Sequence, residues 1–375
     1  PYLVTPSPLR KDRKSGFLTP SLALNFFDTK NSQSFSLPYY FNLSVDKELL
    51  FKPTINYGGG VDSSQRFTFD YNQIISGGNF KSELTFDSNF EEQNNNKWLS
   101  NASLITNYKK NLNEKYRIGF DSALQTSKDY IQITKPNDDL SYTNSLSSNI
   151  FLEGFYLNKI DDYFKANINF YQSNQENEDN KTTPTVLPNI SYFGGNYFDN
   201  NRISNHTYEF YNIFRDKNTD IHAQNQQKIS HKYNTSNEFI KFNSKISIKS
   251  SIYNQIFTTE NKLLETNKYH TGSYYRIFPI FGTSIESPFK IKKLKNNLTF
   301  KPLTQLVITP GISNSNKLSN EDSTNNNFSL ENINRLNRYA GTDKMDNSKR
   351  VSYGVSAYSD VFKLNLFQLY EFTEN

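Results

Sequence analysis

The sequence predicts an all-β chain, an antiparallel transmembrane β-barrel or a large part of one. Three observations predict it: no apolar run suits a spanning helix, aromatic residues abound in a polar chain, and polar and apolar residues alternate over strand-sized stretches. Mean hydropathy is −0.74 and charged residues make up 21% of the chain. Nothing approaches the roughly 18 consecutive apolar residues that a membrane helix requires. A barrel strand escapes that requirement, because only every second residue meets lipid.

The 375 residues include 31 Phe and 25 Tyr, against one Trp, one Met and no Cys. A disordered chain of this polarity is poor in aromatics, and a soluble core leans more on Leu, Val and Ala. Phe and Tyr suit a half-buried pleated surface, and aromatic girdles mark both membrane interfaces of a barrel.

Alternation locates the elements in turn. Phe67, Phe69 and Tyr71 alternate with Arg66, Thr68 and Asp70, and Phe80, Leu84 and Phe86 with Lys81, Glu83, Thr85 and Asp87. Tyr116, Ile118, Phe120 and Leu124 alternate with Arg117, Asp121 and Gln125, and Phe164, Ala166, Ile168 and Phe170 with Lys165, Asn167 and Asn169. The clearest stretch runs from Ile240 to Ile252. One face carries Ile240, Phe242, Ile246, Ile248 and Ile252; the other carries Lys241, Asn243, Lys245, Ser247, Lys249 and Ser251. A helix would scatter these lysines around its circumference. As a single strand, it should turn Phe242, Ile246 and Ile248 to lipid and Lys241, Lys245 and Lys249 to the interior. Phe362, Leu364, Leu366, Tyr370 and Phe372 alternate more loosely near the end. With weaker cases, about 17 strands of roughly 8–12 residues are expected, the length of a tilted strand that crosses a bilayer.

The connectors are unequal. Ser76–Asn79 and Asn158–Asp161 read as hairpin turns, and Ser173–Thr185, Glu260–Thr271 and Ser313–Arg350 as long polar loops. Barrels have short periplasmic turns and longer external loops. No Pro/Gly-rich linker divides the chain, so residues 1–375 read as one barrel domain. A start at Pro1 with no signal peptide reads as a fragment of a longer chain. Without a strand to pair with its first, such a fragment is not expected to close a barrel alone.

Other classes fit less well. Without Cys there is neither a disulfide nor a thiolate metal site in this segment. His206, His222, His231 and His270 show no helical i, i+4 pairing, so neither a metal nor another cofactor is expected. A net charge of +5 is small for nucleic acid. An outer-membrane lipase would want a positioned Ser–His pair, which no motif marks, so no catalytic residue and no enzyme is read. A soluble β-sandwich or surface adhesin also alternates, because it buries one face of each strand. Strand number, strand length and charges repeated on the polar face favour the membrane. A porin or receptor channel is the other barrel alternative.

Three patches resemble the barrel domain of the lipopolysaccharide-assembly family LptD. The first is Arg13-Lys14-Ser15-Gly16-Phe17-Leu18-Thr19-Pro20, followed by Leu37-Pro38-Tyr39-Tyr40-Phe41-Asn42-Leu43. It is similar to the family's basic pair, Ser-Gly-Phe-Leu, Pro and Pro-Tyr-Tyr opening, and it is the most specific of the three. The second is Asn334-Arg335-Leu336-Asn337-Arg338-Tyr339-Ala340-Gly341-Thr342-Asp343-Lys344, then Arg350-Val351-Ser352-Tyr353-Gly354. The third is Gln368-Leu369-Tyr370-Glu371-Phe372-Thr373. They occur in the family's order and cover nearly the whole chain. Lys344 stands where the family often has Arg, and the family's periplasmic domain and final strands are absent.

The resemblance implies transport without chemistry. Lipopolysaccharide arrives over an LptA-like periplasmic bridge, docked on the missing N-terminal domain, and leaves between the first and last strands into outer-membrane lipid. An LptE-like lipoprotein plugs the lumen. The location implied is the Gram-negative outer membrane. Prolines in the opening strands are assigned to a lateral gate, and Pro8 and Pro20, with Gly16 between them, fall at similar places. Proline lacks an N–H and so weakens a strand ladder; alternatively, both prolines flank a turn at Arg10–Ser15. Lys241, Lys245 and Lys249 are candidates for cargo contact in the lumen, or simply part of an interior that is polar anyway.

Overall fold

A computed structural model describes residues 13–23, 33–57, 64–89, 101–158, 161–175, 179–291, 298–324 and 329–373. The described residues form 21 strands, one helix of a single turn (α1, Tyr130–Thr134) and two short 3-10 turns. No described helix is long and apolar enough to cross a membrane. The chain divides into two compact units, Pro1–Gly154 with Asn167–Thr185, and Phe155–Ala166 with Val186–Asn375.

The first unit holds β1 (Gly16–Phe17), β2 (Ser21–Ala23), β3 (Gln33–Ser36), β4 (Tyr39–Ser44), β5 (Lys47–Tyr57), β6 (Ser64–Ile75), β7 (Gly78–Asn89), β8 (Asn101–Asn111), β9 (Tyr116–Gln125) and β10 (Ser145–Phe155). From β4 to β10 each strand pairs antiparallel with the next. β11 (Tyr163–Ser173) contributes residues to each unit. The second unit holds β12 (Thr185–Phe193), β13 (Tyr197–Asp199), β14 (Arg202–Phe214), β15 (Asn225–Lys241), β16 (Ser244–Leu263), β17 (Tyr269–Glu286), β18 (Phe289–Ile291), β19 (Leu298–Ile308), β20 (Lys349–Tyr358) and β21 (Lys363–Glu371). It too is an antiparallel meander, in which both β17 and the short β18 pair with β19.

Register shows that the faces differ in kind. In β5–β9, Phe51, Phe67, Phe69, Phe86, Leu84, Leu104, Tyr108, Phe120 and Leu124 occupy one face, in a ladder of directly paired residues. Its rings touch, with centroids 4.8 Å apart for Phe51–Phe69 and 5.4 Å for Phe67–Phe86. The opposite face carries Arg66, Glu83, Asp87, Asp121 and Arg117. In β16, Ile248, Ile252 and Ile256 are exposed, with Asn254 among them, whereas Ser247, Ser251, Tyr253, Gln255, Phe257 and Thr259 are buried. The exposed face therefore carries the isoleucines and no mid-strand charge, the inverse of a soluble sheet, as expected where lipid is the solvent. From β14 to β21 it carries charge only near strand ends, at Arg202, Lys241, Glu260 and Lys349.

Three expectations need correction. The stretch Ile240–Ile252 is not one strand but a hairpin. Phe242 and Asn243 are its turn, with φ of 53° and 59°, the two left-handed positions that a tight two-residue connection needs. Lys241 pairs with Ser244, whereas Ile240 pairs with Lys245. The alternation therefore reverses across the turn: Lys245 and Lys249 share the buried, polar face with Ser247, while Lys241 lies on the other face beside the Phe242 ring, 5.6 Å away. Glu260–Thr271 is not a long loop either, because β16 and β17 run into it and are joined by residues 264–268. Finally, β15, β16 and β17 have 17, 20 and 18 residues, about twice what a bilayer demands, so their ends extend beyond it.

Candidate functional site

The first edge is broken by prolines. β1 pairs with β4 (Gly16↔Tyr40, Phe17↔Tyr39) and β2 with β3 (Ser21↔Ser36), so the register slips by one residue between them. Leu18, Thr19 and Pro20 stand there opposite Leu37 and Pro38. Leu18 N–H donates to the Pro38 carbonyl at 2.9 Å, and Leu37 N–H to the Pro53 carbonyl at 3.3 Å. A hydrogen-bonded antiparallel pair normally exchanges two such bonds. Neither proline can return the second, so both pairs are half-bonded. A cavity of about 720 Å³ opens beside this break, lined by Leu18, Thr19, Pro38, Leu50 and Lys52 among others. Residues 13–15 do not turn: Asn42 bonds the Ser15 hydroxyl and the Arg13 carbonyl. Gly16 is not forced by crowding, since a side chain there would meet nothing within 4 Å. Pro8 lies outside the described residues.

In the same unit, the connector between β9 and β10 carries α1 onto the polar face. Tyr130 donates to Asp87 at 2.8 Å, Asp87 also binds Arg66, and Lys135 reaches Glu83 at 2.6 Å. Ile131 is fully buried and packs with Ala123 and Leu146.

The second unit has a larger counterpart, the connector of residues 309–348 between β19 and β20. It folds back over the polar face instead of standing away from the strands. Met345 and Leu336 cover Tyr253, Phe278, Ile280 and Val307. Gly282 admits Leu336, because a Cβ there would lie 2.3 Å from its Cδ2. Around this small apolar anchor runs an ion-pair network. Lys228, fully buried on β15, donates to Asp322 at 2.8 Å and Asp343 at 3.0 Å. Tyr211 donates to Asp343 at 2.9 Å, and Arg276 donates to the backbone carbonyls of Asp343 and Thr342 at 2.9 and 2.7 Å. Gln226 binds Ser319 through both its amide atoms. Arg215 clamps Glu321 with two bonds, and Arg350 and Arg338 share Asp346. Gly341 is required here: a Cβ would lie 2.4 Å from the Asp322 carbonyl oxygen.

Charge burial on the loop is compensated. Burial alone would raise the Glu321 carboxyl, but hydrogen bonds and charge from His222 and Arg215 hold it at about 2. The same balance, with Lys228 as the main cation, leaves Asp322 below its ordinary value. Asp343 is the exception, since burial outweighs Lys228 and keeps it above the usual range. A depressed carboxyl stabilises the fold above its unfolded pKa, and that stability is lost as pH falls. Glu321 should therefore contribute about 3 kcal/mol above pH 4.5, lost progressively between pH 4.5 and about 2. A fluorophore on a Thr324→Cys variant should report loop release in that window. Constant emission down to pH 2 would contradict the latch.

The structure thus brings Lys245 and Lys249, but not Lys241, to the polar face, and Lys245 is paired there with Glu238 at 2.8 Å. Sequence reading missed the inward loop and its partners. Its only signal was the stretch Asn334–Lys344, whose Arg338, Gly341, Thr342 and Asp343 all have structural work on the loop.

Comparison with known proteins follows the same line. A family model described as LptD, LPS transport system D, matches residues 100–366. The LPS-assembly protein LptD of Hahella chejuensis (strain KCTC 2396) is 22% identical over 380 aligned residues, which cover 95% of this chain and 44% of that protein. The chain thus spans less than half the length of this relative. A solved structure described as a bacterial polysaccharide outer membrane secretin is 8% identical, with a TM-score of 0.30 over 78% of this chain and 89% of that one.

Proposed function

We propose, from the premise that this chain belongs to the LptD family, a transport and assembly family and not an enzyme family, that it is the barrel part of a protein that places lipopolysaccharide in the Gram-negative outer membrane. One observation carries the reading. Between the strand ends the exposed face of both units is uncharged and rich in apolar and aromatic residues, while the opposite face holds the charges. An outward apolar belt suits lipid, and a charged interior suits a bulky glycan.

The proline-broken edge supports a lateral gate. An amphiphile must leave the lumen sideways, and unpaired strand groups facing lipid cost several kcal/mol each, so most barrels keep such a seam shut. An edge where Leu18–Pro38 and Leu37–Pro53 are already half-bonded costs less to open. Pro8 belongs to the same proposal by its position in the sequence, as does Gly16, which weakens a strand by lacking a side chain. Lys245 and Lys249 would then face the cargo. An LptE-like lipoprotein in the lumen and an LptA-like bridge, docked on a domain preceding this chain, are the partners the family suggests.

The test is to replace Pro38 and Pro53, the two prolines that leave these pairs half-bonded, with alanine in the full-length protein. Each restored bond is worth about 1 kcal/mol net, so two should shift an opening equilibrium roughly thirty-fold. The barrel should remain heat-modifiable on gels while surface lipopolysaccharide falls. Normal delivery with normal folding would confine the prolines to shaping the strand.

A further inference from the structure

The inward loop builds a second feature at the end of the second unit where the long connectors meet. Residues 220–221, 262–267 and 314–320, with Lys344, enclose a cavity of about 590 Å³, within the roughly 300–1,000 Å³ range of small-molecule sites. Its wall is unlike that of the apolar belt. Lys262 is buried, and its ammonium is pinned by the carbonyls of Asp220 and Leu263 at 2.6 and 2.9 Å, which leaves its third N–H unused. Among the described residues, the side chains of Glu265, Asn267, Asn316 and Lys344 line the cavity with no hydrogen bond or ion pair to the protein. Ile221 and Leu318 supply apolar surface between them.

From this arrangement we propose that the cavity is a saccharide-binding site, a subsite for the glycan of the transported lipid; it rests on the lipopolysaccharide reading above. The chemistry selects the class. Each sugar hydroxyl both donates and accepts, and the wall offers ammonium and amide N–H donors beside amide and carboxylate acceptors. The C–H face of a sugar ring packs on apolar side chains such as Ile221 and Leu318. An isolated anion would not be met by Asp220 and Glu265, and a lipid chain would find too many polar groups left unpaired. By the convention of short periplasmic turns and long external loops, this mouth is the outer one. The site would hold the glycan after it has crossed the lumen and before release.

The experiment uses the purified full-length protein with its native partners in detergent, and core oligosaccharide freed of its lipid by deacylation. Calorimetry should show saturable binding to the wild type. Affinity should fall at least tenfold in a Lys344→Met/Asn316→Ala variant, whose replaced side chains make no hydrogen bond or ion pair with the described residues, and in a Lys262→Met variant. Heat-modifiability should be retained in the first variant; if Lys262→Met disturbs the loop, Glu265→Gln takes its place. Equal affinity in wild type and variants, or no binding to the wild type, would overturn the site. Depleting the protein in cells separates the two claims. Loss of surface lipopolysaccharide without oligosaccharide binding leaves the transport reading standing and removes the cavity. Unchanged surface lipopolysaccharide removes the transport reading, and the calorimetry still judges the cavity.

Discussion

A Lys228→Met substitution is expected to free the inward loop while leaving the strands paired. The ammonium is fully buried and serves Asp322, Asp343 and Thr342 at once, with Glu209 at 3.7 Å. Methionine keeps most of the volume but leaves two carboxylates without their main cation. Removing one partner of a buried pair costs about 3–5 kcal/mol, because the remaining charge is uncompensated. The loss falls on loop docking, since Asp322 and Asp343 belong to the loop, whereas the ladder of Lys228 to Phe257 and Tyr211 is backbone. Hydrogen exchange should therefore rise across residues 309–348, with little change in β15 and β16. A Lys228→Met/Asp343→Asn double variant should recover part of the protection, because it removes one stranded charge. Unchanged exchange in the single variant would mean that Met345, Leu336 and the arginines hold the loop alone.

This network also shows where sequence reading stops. The faces of β6, β7 and β9 were legible, because a period of two needs only neighbouring residues. The hairpin at Phe242-Asn243 was not. Its turn lacks the Asn-Gly or Asp-Gly signature, and an apolar residue in the turn happens to continue the alternation. A two-residue turn nevertheless reverses the faces, so Lys241 lies opposite to where a single strand would put it, and Lys245 and Lys249 lie on the polar face. Pro20 could be read as a strand breaker, but its alignment with Pro38 and Pro53 exists only once the register of β1–β5 is known. The inward loop lay furthest from reach. Polar connectors read as external, and nothing local pairs Asp343 with a lysine 115 positions away.

The second large effect tests the inverted faces themselves. Ile252 is near the middle of β16, opposite Tyr233 on one side and Pro279 on the other, and is 38% exposed. Its neighbours on that face, Ile248 and Ile256, are exposed too, and no charged residue shares the face between Lys241 and Glu260. In water such a row would be an aggregation hazard, and an arginine there would be tolerated or beneficial. In a bilayer the same arginine costs about 2–4 kcal/mol near the midplane, and less towards the interfaces. Ile252→Arg should therefore lower the folding stability of the reconstituted protein by that amount, read from denaturant titration in vesicles. Lys249→Ala, three residues away on the polar face, should change it much less, because that face meets water and polar neighbours such as Ser236. Ile246→Arg, nearer the short turn, should fall between the two. A gradient along the isoleucines with a flat response on the lysine face is the signature of a lipid-facing strand. Equal sensitivity of both faces, or a neutral Ile252→Arg, would require the exposed apolar face to be covered by protein instead.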